Sequence, residues 1–358
     1  NETPIIFNTS NLLRRFIMRK YLLSTSALAG AALLSTAALA DVSITGSMEF
    51  TYQDHDPGTT AAGASNDEFS SDQDIAIKFE NKTDTGLVIG MFQKLESAGA
   101  GQVSTVISDE SYIYIKGGFG KVELGNNDGA GDALTRTAHD MLGPDALNDG
   151  NGSGIAVKGS GNLKDDNADL MDDIDDENNI TYYLPTMGGL SVGVSYADAG
   201  DDNGENGDQT TVGAKYAFTS GAVNGSIHFG TNNVSGANAG DPSLNHDSIG
   251  LDISSGPFRA VMARAESEVT ATITTEVTDY GIQYNVGNGL TLTAVGTQIE
   301  ENTGGETSDV STISAKYNIT SGLDAYLTYH DYDYEDGTTA TTADDDGSKT
   351  LVTIVAKF

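Results

Sequence analysis

The sequence predicts an all-β fold, a 16-stranded antiparallel β-barrel, on the basis of three observations. After residue 40, runs of about ten residues alternate apolar and polar side chains, the period of a strand with one apolar face. Seven tight, glycine-containing turns alternate with eight long polar loops, and together they join sixteen strands. No window in this part is apolar enough for a membrane-spanning helix.

Composition excludes several classes of protein. The chain has 358 residues, no cysteine and a formal net charge of -34. Without cysteine there is no disulfide, no cysteine metal site and no cysteine nucleophile. Nucleic acid is excluded as a partner, because a polyanion is repelled by so acidic a chain. Cations are favoured instead.

The first forty residues predict export. Residues 1–17 are interpreted as an upstream extension that is not part of the native protein. Residues 18–40 have the order of a signal peptide: basic Arg19 and Lys20, an apolar run, and a small-residue processing site that ends at Ala40. The apolar run is shorter than the roughly 20 residues of a membrane span, so we expect cleavage rather than anchoring. The barrel is assigned to residues 41–358.

Turns and loops alternate along this barrel. Glycine recurs in the short turns because hairpin turns require positive φ. The turns lie at residues 83–86, 117–120, 186–189, 219–221, 254–257, 286–289 and 320–322. The long loops lie near residues 53–71, 97–104, 126–177, 198–209, 232–246, 267–275, 301–307 and 335–347. This separation is typical of a transmembrane β-barrel with short periplasmic turns and long external loops.

The predicted strands carry one lipid-compatible face. Ile313, Ala315 and Tyr317, for example, alternate with Ser314 and Lys316. Strands in lipid must close into a ring, because no water satisfies their backbone groups. Tyrosines near strand ends are interpreted as interfacial girdles: Tyr112, Tyr114, Tyr182, Tyr183, Tyr196, Tyr326, Tyr329, Tyr332 and Tyr334.

The third long loop, about 126–177, is exceptional in length. Loops of this size in a compact domain usually have a function. We predict that it folds into the lumen and sets the width and charge of a hole, with a short helix over 132–141. The candidate constriction residues are acidic: Asp128, Asp132, Asp140, Asp145 and Asp149. The later acidic run from Asp165 to Glu177 is a further candidate, although for Asp172 to Glu177 an exposed, solvated loop is the favoured interpretation.

Basic residues are predicted on the pore wall opposite these acids. Strand parity directs Lys78, Lys121, Lys215 and Lys316 into the lumen, and Arg259 is a further candidate. For each lysine, an equally good interpretation is a solvated charge on the barrel that pairs with its neighbours and has no role in the pore. Because rings of acidic side chains favour cations, we expect a cation-preferring pore.

An enzymatic function is not indicated. The five histidines lack zinc-ligand spacing, and there is no P-loop or nucleophile elbow. The abundant Asp also permits Ca²⁺ between acidic loops, since hard oxygen ligands suit this ion. The nearest segments, Asp145 to Asn151 and Asp198 to Asp208, lack EF-hand spacing, and no ligand set is assigned.

Three segments resemble a known family: 111–126 (SYIYIKGGFGKVELGN), 178–190 (NNITYYLP followed by GGL) and the last strand, 351–358. They are similar to the general diffusion porins of Gram-negative bacteria, most of all to the alphaproteobacterial, Rhodobacter-like porins. The Pro-Glu-Phe-Gly-Gly type of signature of enterobacterial constriction loops is absent.

The resemblance implies an outer-membrane homotrimer with a water-filled pore for passive diffusion of small hydrophilic solutes and ions. It implies an inward-folded third loop that faces a basic cluster on the pore wall. It also implies that the protein requires no cofactor. Implied partners are outer-membrane lipid, lipopolysaccharide and the barrel-assembly machinery, which recognises a terminal strand such as the one ending at Phe358.

Two alternatives stay open at this point. A secreted acidic calcium-binding β-protein, such as an adhesin or surface-layer module, explains the leader and the Asp content, but not the alternation of short turns and long loops. A solute-specific channel on the same barrel explains all of these features.

Overall fold

The computed structural model describes most of the predicted barrel. The described residues are 41–57, 67–100, 106–146, 156–157, 161–162, 178–198, 207–236, 243–269, 272–302, 305–335, 337 and 345–358. The predicted leader (18–40), the upstream segment, Asp149 and the acidic run 165–177 lie outside them. No helix in the described part is both long and apolar enough to cross a membrane.

The described residues form eighteen strands. They are β1 (Asp41–Pro57), β2 (Asp67–Lys82), β3 (Val88–Ala100), β4 (Ile107–Gly117), β5 (Gly120–Asn126), β6 (Ala156–Val157), β7 (Gly161–Asn162), β8 (Asn178–Tyr183), β9 (Leu190–Ala197), β10 (Gln209–Ser220), β11 (Val223–Val234), β12 (Leu244–Ser255), β13 (Phe258–Val269), β14 (Thr272–Gly287), β15 (Leu290–Glu301), β16 (Thr307–Thr320), β17 (Leu323–Glu335) and β18 (Asp345–Lys357). β6 and β7 form a separate two-residue pair.

Sixteen of these strands form one closed antiparallel barrel, which confirms the predicted fold class. Each strand pairs with its neighbours in the chain, except where β5 pairs with β8 across the third loop. β1 pairs with β18 and closes the ring. The end that carries the tight turns is called the short-turn end, and the opposite end the long-loop end.

The barrel wall has an apolar outer face and a polar inner face, as the alternation predicts. Ile282 and Ile313 are exposed on the outside, at 65% and 61%. Many inward positions are small or polar; Thr293 and Ser314, for instance, are paired across β15 and β16. Inward apolar residues such as Val261 and Val295 lie where a loop packs against the wall.

Strand boundaries differ from the sequence prediction. Most of the predicted loop 267–275 is strand, because β13 runs to Val269 and β14 begins at Thr272. Antiparallel ladders satisfy their own backbone groups in water as well as in lipid, so strands extend past the apolar band.

The tyrosine girdle prediction is wrong for several residues. Tyr114, Tyr326, Tyr332 and Tyr334 are buried on the inner side of the barrel. Tyr114 lies over Gly90, where any side chain would collide with its ring, and donates a hydrogen bond to Glu80 at 2.7 Å. Parity within the strand, rather than nearness to its end, decides which way each ring points. Tyr196 does face outward.

The lipid-facing assignment predicts a depth-dependent cost for a charge. Ile313→Arg lies in the apolar band and should destabilise the barrel by about 2–4 kcal/mol. Ser311→Arg lies two residues toward the long-loop end, opposite Asp331, and should cost about 0–1 kcal/mol. Urea unfolding in lipid vesicles measures both, and equal costs would contradict the assignment.

Candidate functional site

The third loop lies inside the barrel over residues 127–146, here called the inner loop. It contains a short helix, α1 (Ala130–Leu134), and two 3-10 turns, His139–Met141 and Gly143–Asp145. The predicted helix over 132–141 is therefore wrong. Backbone N–H groups that would continue it donate to the barrel wall instead.

α1 is seated on small residues of the wall. The backbone N–H of Ala130 donates to Ser195 Oγ at 2.7 Å, and that of Gly131 donates to Thr211 Oγ1 at 3.2 Å. A side chain at Gly213 would collide with the Ala130 carbonyl. Glycine at this position allows the helix backbone to approach the wall. The hydroxyls of Ser195 and Thr211 then satisfy two N–H groups at the start of the helix that have no partner within it.

Asp279 on β14 anchors the middle of the inner loop. Its buried carboxylate accepts hydrogen bonds from the backbone N–H of Ala138 at 2.6 Å and of Ala263 at 3.1 Å. The N–H of Arg136 donates to His228 Nδ1 at 3.3 Å. Asp279 therefore ties the inner loop to β14 and, through Ala263, to β13.

Asp145 anchors the far end of the inner loop and does not face the pore. It has no exposed surface, and it accepts hydrogen bonds from the hydroxyls of Thr328 at 2.5 Å and Thr353 at 2.6 Å. Thr353 in turn bonds Thr51 of β1 at 2.9 Å. Burial raises the pKa of the Asp145 carboxyl. Asp145, which the sequence predicts at the constriction, therefore holds the loop to the wall and does not line the pore.

An apolar cluster seals the inner loop to the wall between these anchors. Ala138, Met141 and Leu142 of the loop pack with Val261 of β13 and Val295 of β15. His139 is fully buried beside them, and its Nε2 lies 2.5 Å from Thr297 Oγ1. Burial lowers the pKa of His139 to about 4.

Three of the predicted acids lie on the inner loop with some exposure. Asp140 is exposed, accepts the N–H of Thr137 at 3.0 Å and lies 3.9 Å from Arg136 Nε. Asp128 and Asp132 are half-buried. Asp149 lies outside the described residues.

All five predicted basic residues point into the lumen, nearer to the short-turn end than the inner loop. Lys215 is half-buried beside His228. The other four form ion pairs: Lys78 with Glu80 at 3.0 Å, Lys121 with Glu123 at 2.7 Å, Arg259 with Asp252 at 2.9 Å, and Lys316 with Asp324 at 3.0 Å. Lys116, which parity could have identified, joins Glu80 at 3.5 Å.

The inner loop and this basic zone enclose a cavity of about 700 Å³. Its polar lining includes Asp140, Arg259, Lys316 and Asp324. The cavity is continuous with the lumen on the short-turn side of the loop, so solutes that pass the loop meet paired charges of both signs.

Acidic residues instead accumulate toward the long-loop end. Lys94 Nζ lies 2.5 Å from Asp109, 3.4 Å from Glu96 and 4.0 Å from Asp74, and Asp72 is close by. These four acids are called the acidic cluster, which sequence reasoning missed. Further acids lie near the long-loop ends of strands, at positions that alternate with the inward-facing ones and therefore lie on the outer side of the wall: Asp54, Asp208, Asp247, Glu268, Glu276, Glu300, Asp309, Asp333 and Asp346. Within the lumen, the acidic cluster lies toward the long-loop end and the predicted basic residues lie toward the short-turn end.

The calcium expectation gains no support from the geometry. Within the described ranges, no group of three or more His, Asp or Glu side chains is placed to hold a metal ion. The segments considered from the sequence, 145–151 and 198–208, lie largely outside those ranges.

Comparison with known proteins identifies the family. Residues 24–337 match the family model described as Gram-negative porin, so the chain belongs to the Gram-negative porin family. Members of this family are passive outer-membrane channels, not enzymes, and the family resemblance noted from the sequence is confirmed. No curated protein matches the chain in sequence.

Two solved structures illustrate the fold. An anion-selective porin from Comamonas acidovorans superposes with a TM-score of 0.65 at 16% identity, over 89% of this chain and 100% of that one. A substituted porin of Rh. blastica gives a TM-score of 0.60 at 16% identity, with the same coverage. At this identity the likeness shows the barrel fold alone.

Buried His139 predicts a pH dependence of loop docking. Its pKa falls from 6.5 to about 4 on burial, so the undocked loop binds more protons between these values. Docking is therefore fully stable above pH 6.5 and loses up to about 3 kcal/mol as pH falls to 4. Thermal unfolding in detergent should show a shallower pH slope for His139→Asn than for the wild type.

Other ionisable side chains lie close to His139, namely Asp140, Asp279 and His330. The difference between the pH profiles of the two proteins is therefore the relevant quantity. Parallel profiles for the two proteins would show that His139 does not contribute.

Proposed function

We propose that the protein is a water-filled pore for passive diffusion of small hydrophilic solutes and ions across the outer membrane. The observation that carries this proposal is the course of the inner loop. Its described contacts run along the inner wall from β8 to β18, through Ser195, Asp279 and Thr353. The wall formed by β2 to β4 faces the remaining lumen, which leaves a passage beside the loop.

The proposal extends to a preference for cations. The acidic cluster places four carboxylates around one ammonium group on the wall that faces the passage. Exposed charges in a water-filled lumen act over about 10 Å at 0.1 M salt. The acids of the inner loop, Asp128, Asp132 and Asp140, add to this field. The preference should therefore be largest at low ionic strength.

The proposal also includes assembly. Residues 18–40 are removed, and the protein forms a homotrimer in the outer membrane. The exposed apolar band supports contact with lipid, lipopolysaccharide and neighbouring copies. Phe358 supports the role of the last strand in assembly: its backbone pairs with Gly46 at 2.8 and 3.2 Å to close the barrel seam, while its ring is 84% exposed.

Passive diffusion requires no cofactor, since concentration gradients drive it. The secreted adhesin alternative does not account for a closed barrel with an apolar exterior. A solute-specific channel on the same barrel stays an alternative to general diffusion.

Reversal potentials in a planar bilayer under a salt gradient test the cation preference. Wild-type protein should give stepwise conductance and a cation-selective potential. Asp72→Asn/Asp74→Asn on the wall, and Asp128→Asn/Asp132→Asn/Asp140→Asn on the inner loop, should each reduce this selectivity. The outward pair Asp331→Asn/Asp333→Asn is the matched control and should retain most of it.

The outcomes separate the parts of the proposal. Conductance with selectivity unmoved by either variant would leave the pore but contradict the role of these acids. Absence of conductance from correctly folded protein would contradict the pore itself.

A further inference from the structure

A row of lysines crosses the barrel wall at the short-turn end. Cross-strand register places Lys82 of β2 opposite Val88, Val88 opposite Lys116 of β4, Lys116 opposite Lys121 of β5, and Lys121 opposite Tyr183. All five positions share the inner face of the barrel. Three of the five carry an ammonium group, and they are called the lysine row.

The next row toward the inner loop holds the compensating acids. Glu80, Tyr114 and Glu123 occupy it, on β2, β4 and β5. Glu80 is shared between Lys78 at 3.0 Å and Lys116 at 3.5 Å, and it also accepts the Tyr114 hydroxyl. Glu80 is therefore fully engaged.

Glu123 is committed in a similar way. It is buried, lies 2.7 Å from Lys121 and accepts a hydrogen bond from Asn127 at 3.1 Å. Glu123 lies one row farther from the short turns than the lysine row, and it does not line the concave space at the short-turn end.

The acids of this region lie outside the lining of the space rather than in it. Lys78 and the three members of the lysine row bring four positive charges, and Glu80, Glu123, Asp41 opposite Glu80 and Asp84 in the adjoining turn bring four negative ones. The lysine row is therefore compensated from the next row and from the turn, in a chain whose formal charge is -34.

The lysine row faces a concave space of about 500 Å³ that opens at the short-turn end. Gly86, Gly117 and Gly120 line it with backbone, which keeps the space free of side chains. Tyr183 forms one side, and its ring lies 4.3 Å from Lys121 Nζ. Among the described residues that line this space, none is acidic.

We propose that the lysine row binds small doubly charged anions, such as inorganic oxyanions or short dicarboxylates, that arrive from the short-turn side of the pore. Three ammonium groups line the space and no acid is among its described lining residues, which favours an anion with more than one negative charge. Lysine provides flexible, strongly charged donors that suit oxyanions without fixed geometry. The acidic cluster repels the same solutes on the long-loop side, so access is one-sided.

This inference rests on the proposed pore but concerns a different end of it. The space is wet and the lysines are partly exposed, at 45% for Lys116 and 38% for Lys121, so screening keeps the binding weak and reversible. A weak site is compatible with passage, because a solute must leave as readily as it enters.

Sulfate, a dianion at neutral pH, is the probe for the experiment. Potassium current through single pores is recorded while sulfate replaces chloride on one side at constant ionic strength. Sulfate on the short-turn side should reduce the current, with a half-blocking concentration at least tenfold lower than from the other side. Lys82→Gln/Lys116→Gln should raise that concentration at least tenfold.

Lys357→Gln is the matched control, because Lys357 is an exposed lysine at the same end, on β18. It should change the half-blocking concentration less than twofold. Lys116→Arg keeps the charge and should retain the block. Equal block from both sides, or an unchanged half-blocking concentration in Lys82→Gln/Lys116→Gln, would overturn the inference while leaving the pore intact.

Calorimetric titration of sulfate into the detergent-solubilised protein tests the site without conductance. Wild type should bind sulfate measurably more tightly than Lys82→Gln/Lys116→Gln. Absence of conductance together with this difference would contradict the proposed pore and support the site. No difference in binding would overturn the site whatever the conductance.

Discussion

The antiparallel ladder between β1 and β18 is the interaction on which the rest of the structure depends. Hydrocarbon offers no partner to a backbone N–H or C=O, so a sheet that crosses it must have no free edge. Once the ring is closed, alternation directs one face of each strand to lipid and the other to a lumen. A lumen of this circumference is too wide for side chains to fill, and a loop occupies part of it instead.

The inner loop is held by polar groups because its seat is the wet face of the wall. Asp279 and Asp145, both buried, receive donors from loop backbone and wall hydroxyls. Only Met141, Leu142 and their neighbours contribute an apolar contact. Such a docked segment narrows the lumen on one side. The wall formed by β2 to β4, which carries the acidic cluster and the lysine row, lies on the other side of the proposed passage.

The fold was predictable because alternation and glycine turns are local signals that repeat along the chain. Inward placement of Lys78 and Lys316 followed from the same period. The role of Asp145 was not predictable, because its partners Thr328 and Thr353 are about two hundred residues away in sequence. The acidic cluster was not predictable either, because Asp74 and Asp109 meet around Lys94 only through strand register. A bulge in β3 between Gln93 and Leu95 shifts that register.

The central claim is that the conducting pore has the inner loop docked on the wall. The chain has no cysteine, so the pair Ala130→Cys/Gly193→Cys provides a single cross-link. A Cβ at Gly193 would lie 2.9 Å from that of Ala130 and 2.7 Å from the ring of Tyr183. A shift of about 1 Å between the two backbones, with the Tyr183 ring turned aside, gives disulfide spacing. The account predicts that the cross-link forms on oxidation and leaves single-channel conductance unchanged. Failure to cross-link, or a loss of conductance that reduction restores, would contradict it.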